Sequence, residues 1–574
     1  MYLRKCLRKN IIRIPLLMVL IISLSYISFK IFSQEAQADP SSTSVTIDNE
    51  GPSFTVDPAE SVASTSTNPT NVGSNVTFQA TATDPNSDDW VLLVCNNGST
   101  PVYTGSTPEC NGGSGNRWCR SGSSVASGNQ NTCDYTTQAG DSESNAWYAF
   151  ACDDVTGGSC SSADQGTGDS GSPFEVNHAP SFSSASGNSA DPGGTITVSS
   201  TASDSDTSGS ADQVKLVVCA DTNGATYSGC SGTQLCVSSD SASDPSCNFS
   251  LDAVEQDGSH NLYAYIFDSH EFASASNYIT DSYTVNNVSP SVSGVTLNSG
   301  SNISLTESTT TNVVITGTVT DNNSCQDLDT VTTSLYRSAV TFASCDDNSE
   351  DDDDSCYAVV SCNVVGSGNT CDSDSDASAD YTCTVAVQFH ADTTAGAGSS
   401  DSPWYDQTWL STIKATDDSA STDDTEVGSG VELNDCLALT VTSSIGYGNM
   451  SAGTDSGSSN QTTVVTASGN VPLDTDLSGT AMTQGGCAYD IPVGNQEHSF
   501  TTFTYGAGTD LTSTPTEYQL NCVKTYYNGG KIDGTQNIYW GIEIPSTICS
   551  GLFEGEDTVT AVKGDVGDWG PGGS

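Results

Sequence analysis

The chain has 574 residues, 14 Lys+Arg against 70 Asp+Glu, a formal net charge of −56, and 21 cysteines. Length predicts roughly three to five domains of about 100–200 residues each. So few cations exclude a nucleic-acid binder, since phosphate contacts need Lys and Arg, and confine any membrane attachment to the N-terminal segment. A hydrophobic share of 35% still leaves room for packed cores.

The N-terminus carries Arg4, Lys5, Arg8, Lys9 and Arg13, then an uncharged apolar run over 14–29, then Ala36, Gln37 and Ala38. That order predicts a secretory signal over 1–38, cleaved before Asp39. The competing reading is an uncleaved N-terminal membrane anchor with its cationic end in the cytoplasm. The apolar run is short for a span, which needs about 20 residues. Both readings put 39–574 outside the cytoplasm, at the cell surface or secreted.

Past the leader, the cysteines fall into groups of six (95–160), four (219–247), six (325–383) and four (436–549). Even groups predict that each domain closes its own disulfides in an oxidising compartment. No pair has zinc-knuckle spacing, so metal binding by cysteine is not expected.

Three segments repeat one order of features. In the first, an apolar stretch over 76–83 ends at Asp84, a run over 90–95 ends at Cys95, and a late run over 147–152 ends at Cys152 and Asp153. In the second, the counterparts end at Asp204, Cys219 and Asp268. In the third, looser repeat, they end at Asp321, Arg337 and Asp417. The runs are short, β-branched or aromatic, and bounded by Gly, Asn, Asp and Ser, which reads as strands. About seven strands per unit predict an all-β chain of tandem two-sheet sandwiches. The expected divisions are 1–38, 39–177, 178–287, 288–431, and a C-terminal sandwich of another kind over 432–574. Aligning Trp147 with Leu262 sets Cys152 opposite Phe267 and Cys160 opposite Ala275. The second unit lacks both cysteines together, which predicts a Cys152–Cys160 bond. The other four cysteines of each of these units have three possible pairings.

The Thr-Asp or Ser-Asp strand endings and the linkers 176–180 and 285–290 resemble the immunoglobulin-like, cadherin-like and fibronectin-III-like modules of bacterial surface proteins. The resemblance covers about residues 40–430. It implies adhesion, surface-layer or spacer roles rather than catalysis, with surface proteins or envelope polysaccharide as partners. The alternative is a glycan-binding array or the accessory of a secreted hydrolase, which predicts an exposed, coplanar aromatic pair. Trp118 is the better exposed of the seven tryptophans on this reading.

Calcium is the candidate cofactor. Asp84, Asn86 and Asp88, then Asp204 and Asp206, then Asp321 and Asn323 occupy one place in three units. Hard oxygen ligands on a tight loop suit Ca2+. Asp153, Asp268 and Asp417 follow a later strand that a sandwich brings to the same end. Linker residues Asn177 and Asn286 can add oxygens, although His178 and Asn287 stand where the family pattern has Asp. The alternative is that these residues make turns and keep loops soluble. The acidic runs 350–354 and 372–376 read as solvated loops. The segment 168–173 resembles the nucleophile loop of trypsin-like proteases, but no His stands in a triad setting, and no other catalytic motif appears. The five histidines are scattered and read as surface or strand residues.

Overall fold

The computed structural model describes residues 44–207, 212–346 and 353–570. The expected leader over 1–38 lies outside the described residues. No helix among the described residues is long and apolar enough to cross a membrane.

The first unit sets the sheet Ser53–Glu60, Asn75–Thr83, Gln130–Thr136 against the sheet Tyr148–Asp153, Trp90–Cys95, Arg117–Arg120, antiparallel throughout. Alternation makes the first sheet: Val76, Phe78, Ala80 and Ala82 point inward along one strand while their neighbours face out. The strand Trp90–Cys95 is instead buried on both faces. Its inner face joins the core around Trp147 and Phe174. Val91, Leu93 and Cys95 are covered from outside by Phe150, Cys110 and Tyr103. That outer cover explains why the run is continuously apolar rather than alternating.

The second unit repeats this plan. The sheet Ser181–Gly187, Thr195–Ser203, Ser246–Ser250 faces a five-stranded one centred on Gly258–Asp268 and Val214–Cys219. Its core gathers Ile196, Val198, Leu216, Val218, Leu262 and Ile266. The third unit hydrogen-bonds seven strands into one ladder that folds on itself. The strand Cys356–Val364 joins the halves, pairing Ser378–Val387 at one end and Leu328–Arg337 at the other. The fourth unit packs a five-stranded sheet, with Gln461–Ala467 and Thr535–Ile542 at its centre, on Thr516–Cys522, Leu473–Gly479 and Asp557–Lys563.

Among the described residues, nine disulfides lie within units. Cys95–Cys110 and Cys219–Cys230 are equivalent, and both pin a loop over the outer face of the same strand. Cys119–Cys133 and Cys236–Cys247 are equivalent too, and cross the core between the sheets. Cys152 is bonded to Cys160, its bridge partner on the next segment. The third unit has Cys325–Cys371, Cys345–Cys356 and Cys362–Cys383. The fourth has Cys487–Cys549. One expectation fails here: Cys436 and Cys522 are free thiols, so the last group does not close completely. Cys522 sits in the sandwich core, where it packs as a small apolar residue.

The third and fourth units are joined by a buried cation of the chain itself. Lys524 Nζ lies 3.1 Å from Asp392 Oδ1 and 3.3 Å from Asp354 Oδ1, and donates to the His390 carbonyl at 2.9 Å. His390 Nδ1 shares Asp354 Oδ1 at 2.8 Å, and the Tyr527 amide donates to Asp354 Oδ2 at 2.6 Å. Trp404 of the third unit meets Trp569 of the fourth edge-on at 5.6 Å, with Val471 beside them. Asp354 closes the run expected to be a solvated loop, and it is buried instead. A lysine distant in sequence neutralises it, which no local pattern announces.

Candidate cation poles at the domain joints

Each of the first three units ends, at its N-terminal pole, in a trio of carboxylates: Asp84, Asp88 and Asp153; Asp204, Asp212 and Asp268; Asp321, Asp327 and Asp417. In every trio one oxygen of each residue lies within 4.8 Å of the others. A fourth trio, Asp257, Asp327 and Asp418, adjoins the third and shares Asp327 with it. Asp257 comes from the second unit, so this cluster spans the joint.

The local construction is the same three times. The first Asp ends a core strand and turns its own loop: Asp84 Oδ1, Asp204 Oδ1 and Asp321 Oδ1 accept the amide two residues on, at 2.7–2.8 Å. The residue at that second position then accepts an amide from the incoming chain. Asn86 accepts from Glu50, Asp206 from His178, and Asn323 from Val288, at 2.8, 2.6 and 2.6 Å. The preceding asparagine reaches the late-strand aspartate. Asn49, Asn177 and Asn287 donate from Nδ2 to Asp153, Asp268 and Asp417, at 2.6, 2.9 and 3.0 Å. A linker therefore enters each unit by one recipe, with Pro52, Pro180 and Pro290 three residues beyond the asparagine.

Several carboxylate and amide oxygens in this arrangement are left without a donor. They are Asp84 Oδ2 and Asp153 Oδ1 in the first unit, Asp204 Oδ2 and Asn177 Oδ1 in the second, and Asp321 Oδ2, Asp327 Oδ2 and Asn287 Oδ1 in the third. Asp153, Asp268, Asp321 and Asp417 are at most 1% exposed. Oxygens buried without a donor are costly in a neutral surrounding and favourable beside a cation. The titration follows from the crowding. Burial, then neighbouring carboxylates, pushes Asp204 and Asp321 up to about 6. Burial and Asp418 push Asp327 up to about 7. Asp153 and Asp268 are raised too, burial first.

The structure thus brings Asp84, Asp88 and Asp153 together, Asp204 with Asp268, and Asp321 with Asp417. The geometry differs from the expected set in three respects. Asn86, Asp206 and Asn323 are engaged with the entering backbone rather than completing the trios. The third carboxylates of the later units are Asp212 and Asp327, which stand in the same loops but outside the candidate set. Asn287, not Asn286, is the counterpart of Asn177; Asn286 Nδ2 turns away to Asp191 Oδ1 at 2.8 Å. Aligning the linkers on Pro180 and Pro290 rather than on their first asparagines reveals this. Two histidines border the second trio: His178 Nδ1 meets Asp206 at 2.9 Å and His270 Nδ1 meets Asp212 at 3.0 Å.

The other candidates do not assemble. Ser172 Oγ accepts from the Trp147 amide and lies 3.2 Å from Gln165 Nε2, within a loop that no histidine joins among the hydrogen bonds described. Trp118 is half-buried: it packs on Tyr135 and Phe174 and donates Nε1 to the Ala146 carbonyl. The remaining six tryptophans are buried, so none forms an exposed stacking platform.

No family model and no curated protein matches the chain. Among solved structures it is similar to a marsupial T cell receptor at 10% identity and a TM-score of 0.26, covering 65% of this chain and 100% of that one. It is also similar to chicken CNTN1 FN1-FN3 domains, at 8% identity and 0.19 over 62% and 98%. Protocadherin Gamma B7 extracellular cadherin domains 1–4 align at 14% and 0.23 over 66% and 76%. With scores this low, the assignment of the chain as all-β, tandem sandwiches rests on its own strand ladders.

Proposed function

We propose that this chain is a non-enzymatic extracellular surface protein whose first three sandwiches are held end to end by divalent cations, Ca2+ foremost, giving reach and adhesive contact with surface proteins or envelope polysaccharide. The observation that carries the reading is the pole repeated three times: buried carboxylate and amide oxygens without donors, gathered where a linker enters each unit. An ion there bonds oxygens from both sides of a joint, so binding stiffens the joint as well as the unit. Nine disulfides support an oxidising location. Six tryptophans are buried, and the half-buried Trp118 packs on Tyr135 and Phe174, which weakens the case for a glycan-stacking array.

The test is calorimetry and small-angle scattering on oxidised residues 39–574, in millimolar calcium and then in chelator. Calcium is expected to raise the melting temperature and lengthen the particle. Identical curves in both buffers overturn the cation poles.

A further inference from the structure

Among the described residues the fourth unit has no acidic trio, but its sandwich carries a broad apolar cleft. A cleft of about 770 Å³ opens at one end of its sandwich, walled by Ile445, Met450, Met482, Ile542, Ile544 and Phe553. A second cleft of about 390 Å³ shares Ile445, Tyr447, Met482, Leu552 and Phe553 with it and continues toward Gln496 and Asp557. Volumes of this size fit small ligands. The Cys487–Cys549 bond and the bridges Met482–Ile491 and Thr483–Glu554 pin the walls, so the space is preformed. Met450 and Met482 are the only methionines beyond the leader, and both line the cleft. Their flexible thioethers adapt to an apolar guest.

The polar groups give the guest its sign. Tyr447 Oη donates to Gln496 Oε1 at 3.0 Å, and Gln496 Nε2 donates to Asp557 Oδ1 at 3.0 Å. That amide is the one hydrogen-bond donor described to the Asp557 carboxyl, which burial pushes up to about 6. Glu554 and Glu556 line the same cleft, and no Lys, Arg or His lines either one. We propose that this cleft binds a cationic amphiphile, its apolar body between the Ile and Met walls and its ammonium head at Asp557. An anionic head meets three carboxylates and no cation there, and a neutral head leaves the Asp557 charge uncompensated.

The probe is decylamine, titrated into oxidised residues 39–574 by calorimetry below its aggregation concentration, with decanoate and decanol as comparisons. One tight site is expected for decylamine, with decanoate and decanol at least ten-fold weaker. Asp557→Asn should weaken decylamine about ten-fold and leave decanol unchanged. Met482→Trp, which fills the cleft without touching the carboxylate, should abolish the site. A melting curve for each variant separates loss of binding from loss of fold. Equal binding of decanoate or decanol, or decylamine binding insensitive to both substitutions, overturns the proposal. Calcium and chelator arms leave the result unchanged, which separates it from the cation poles.

Discussion

The buried aspartates of the poles are acids whose folded-state affinity for protons exceeds that of the unfolded chain. An aspartate starting near 4 and raised to about 6, as at Asp204 and Asp321, holds its proton longer when folded. Between those values the native state binds more protons, so stability falls as pH rises through that window. In chelator, the first three units should therefore melt at progressively lower temperature from pH 4 to pH 7. Saturating calcium should flatten that slope, and calcium affinity should rise over the same interval; a melting series at several pH values checks both. Asp321→Asn removes one of the repelling charges facing Asp417, Asp257 and Asp418. It should raise the melting temperature in chelator while weakening calcium roughly ten-fold or more. Thiol titration gives a third residue-scale check. Oxidised residues 39–574 should yield two reactive thiols, Cys436 and Cys522, with Cys522 reacting only after denaturation because it is 1% exposed.

At the scale of elements, the disulfides differ in the length of chain they close. Cys152–Cys160 spans 8 residues and Cys325–Cys371 spans 46. Loop-closure entropy then assigns roughly 2.5 kcal/mol to the first and roughly 4 kcal/mol to the second. Paired alanine substitutions measured by denaturant unfolding should show that order. The strands carrying the poles were legible because alternation is local: Val76, Phe78, Ala80 and Ala82 announce their strand and its inward face before any partner is known. The paired absence of Cys152 and Cys160 counterparts was legible for the same reason. The pairing of the other four cysteines was not. Cys95 lies 15 residues from Cys110 and Cys119 lies 14 from Cys133. Only the packing of sheet against sheet separates these pairings from the alternatives.

For the whole molecule, the joints fall into two kinds. Those entering the second and third units gather carboxylates and leave their oxygens without donors, whereas the third and fourth units bury Lys524 between Asp354 and Asp392. Burial lowers the lysine's affinity for its proton, but the two carboxylates outweigh it and keep the ammonium charged. Lys524→Met should take the shared ammonium from two buried acids, leaving Asp392 to Arg337 at 3.3 Å and Asp354 to His390 at 2.8 Å, at a cost of about 3 kcal/mol. Calorimetry should then show the last two units melting separately instead of together, with the wild-type coupling unaffected by chelator. On the proposed reading, added cations would brace the joints toward the N-terminus, while the chain's own lysine braces the joint toward the C-terminus.

Composition, periodicity and the repeated Asp endings by themselves determined the all-β, tandem-sandwich character and the place of the acidic loops, because each is written in neighbouring residues. Only the tertiary structure decided which oxygens face one another. Asp212 and Asp327 complete their trios, Asn287 replaces Asn286, and Asp354 is buried by Lys524, 170 residues away. The same holds for the apolar cleft, whose walls come from segments around 445, 482 and 544. Contacts of this kind depend on where sheets pack and loops converge, and no local spacing encodes that.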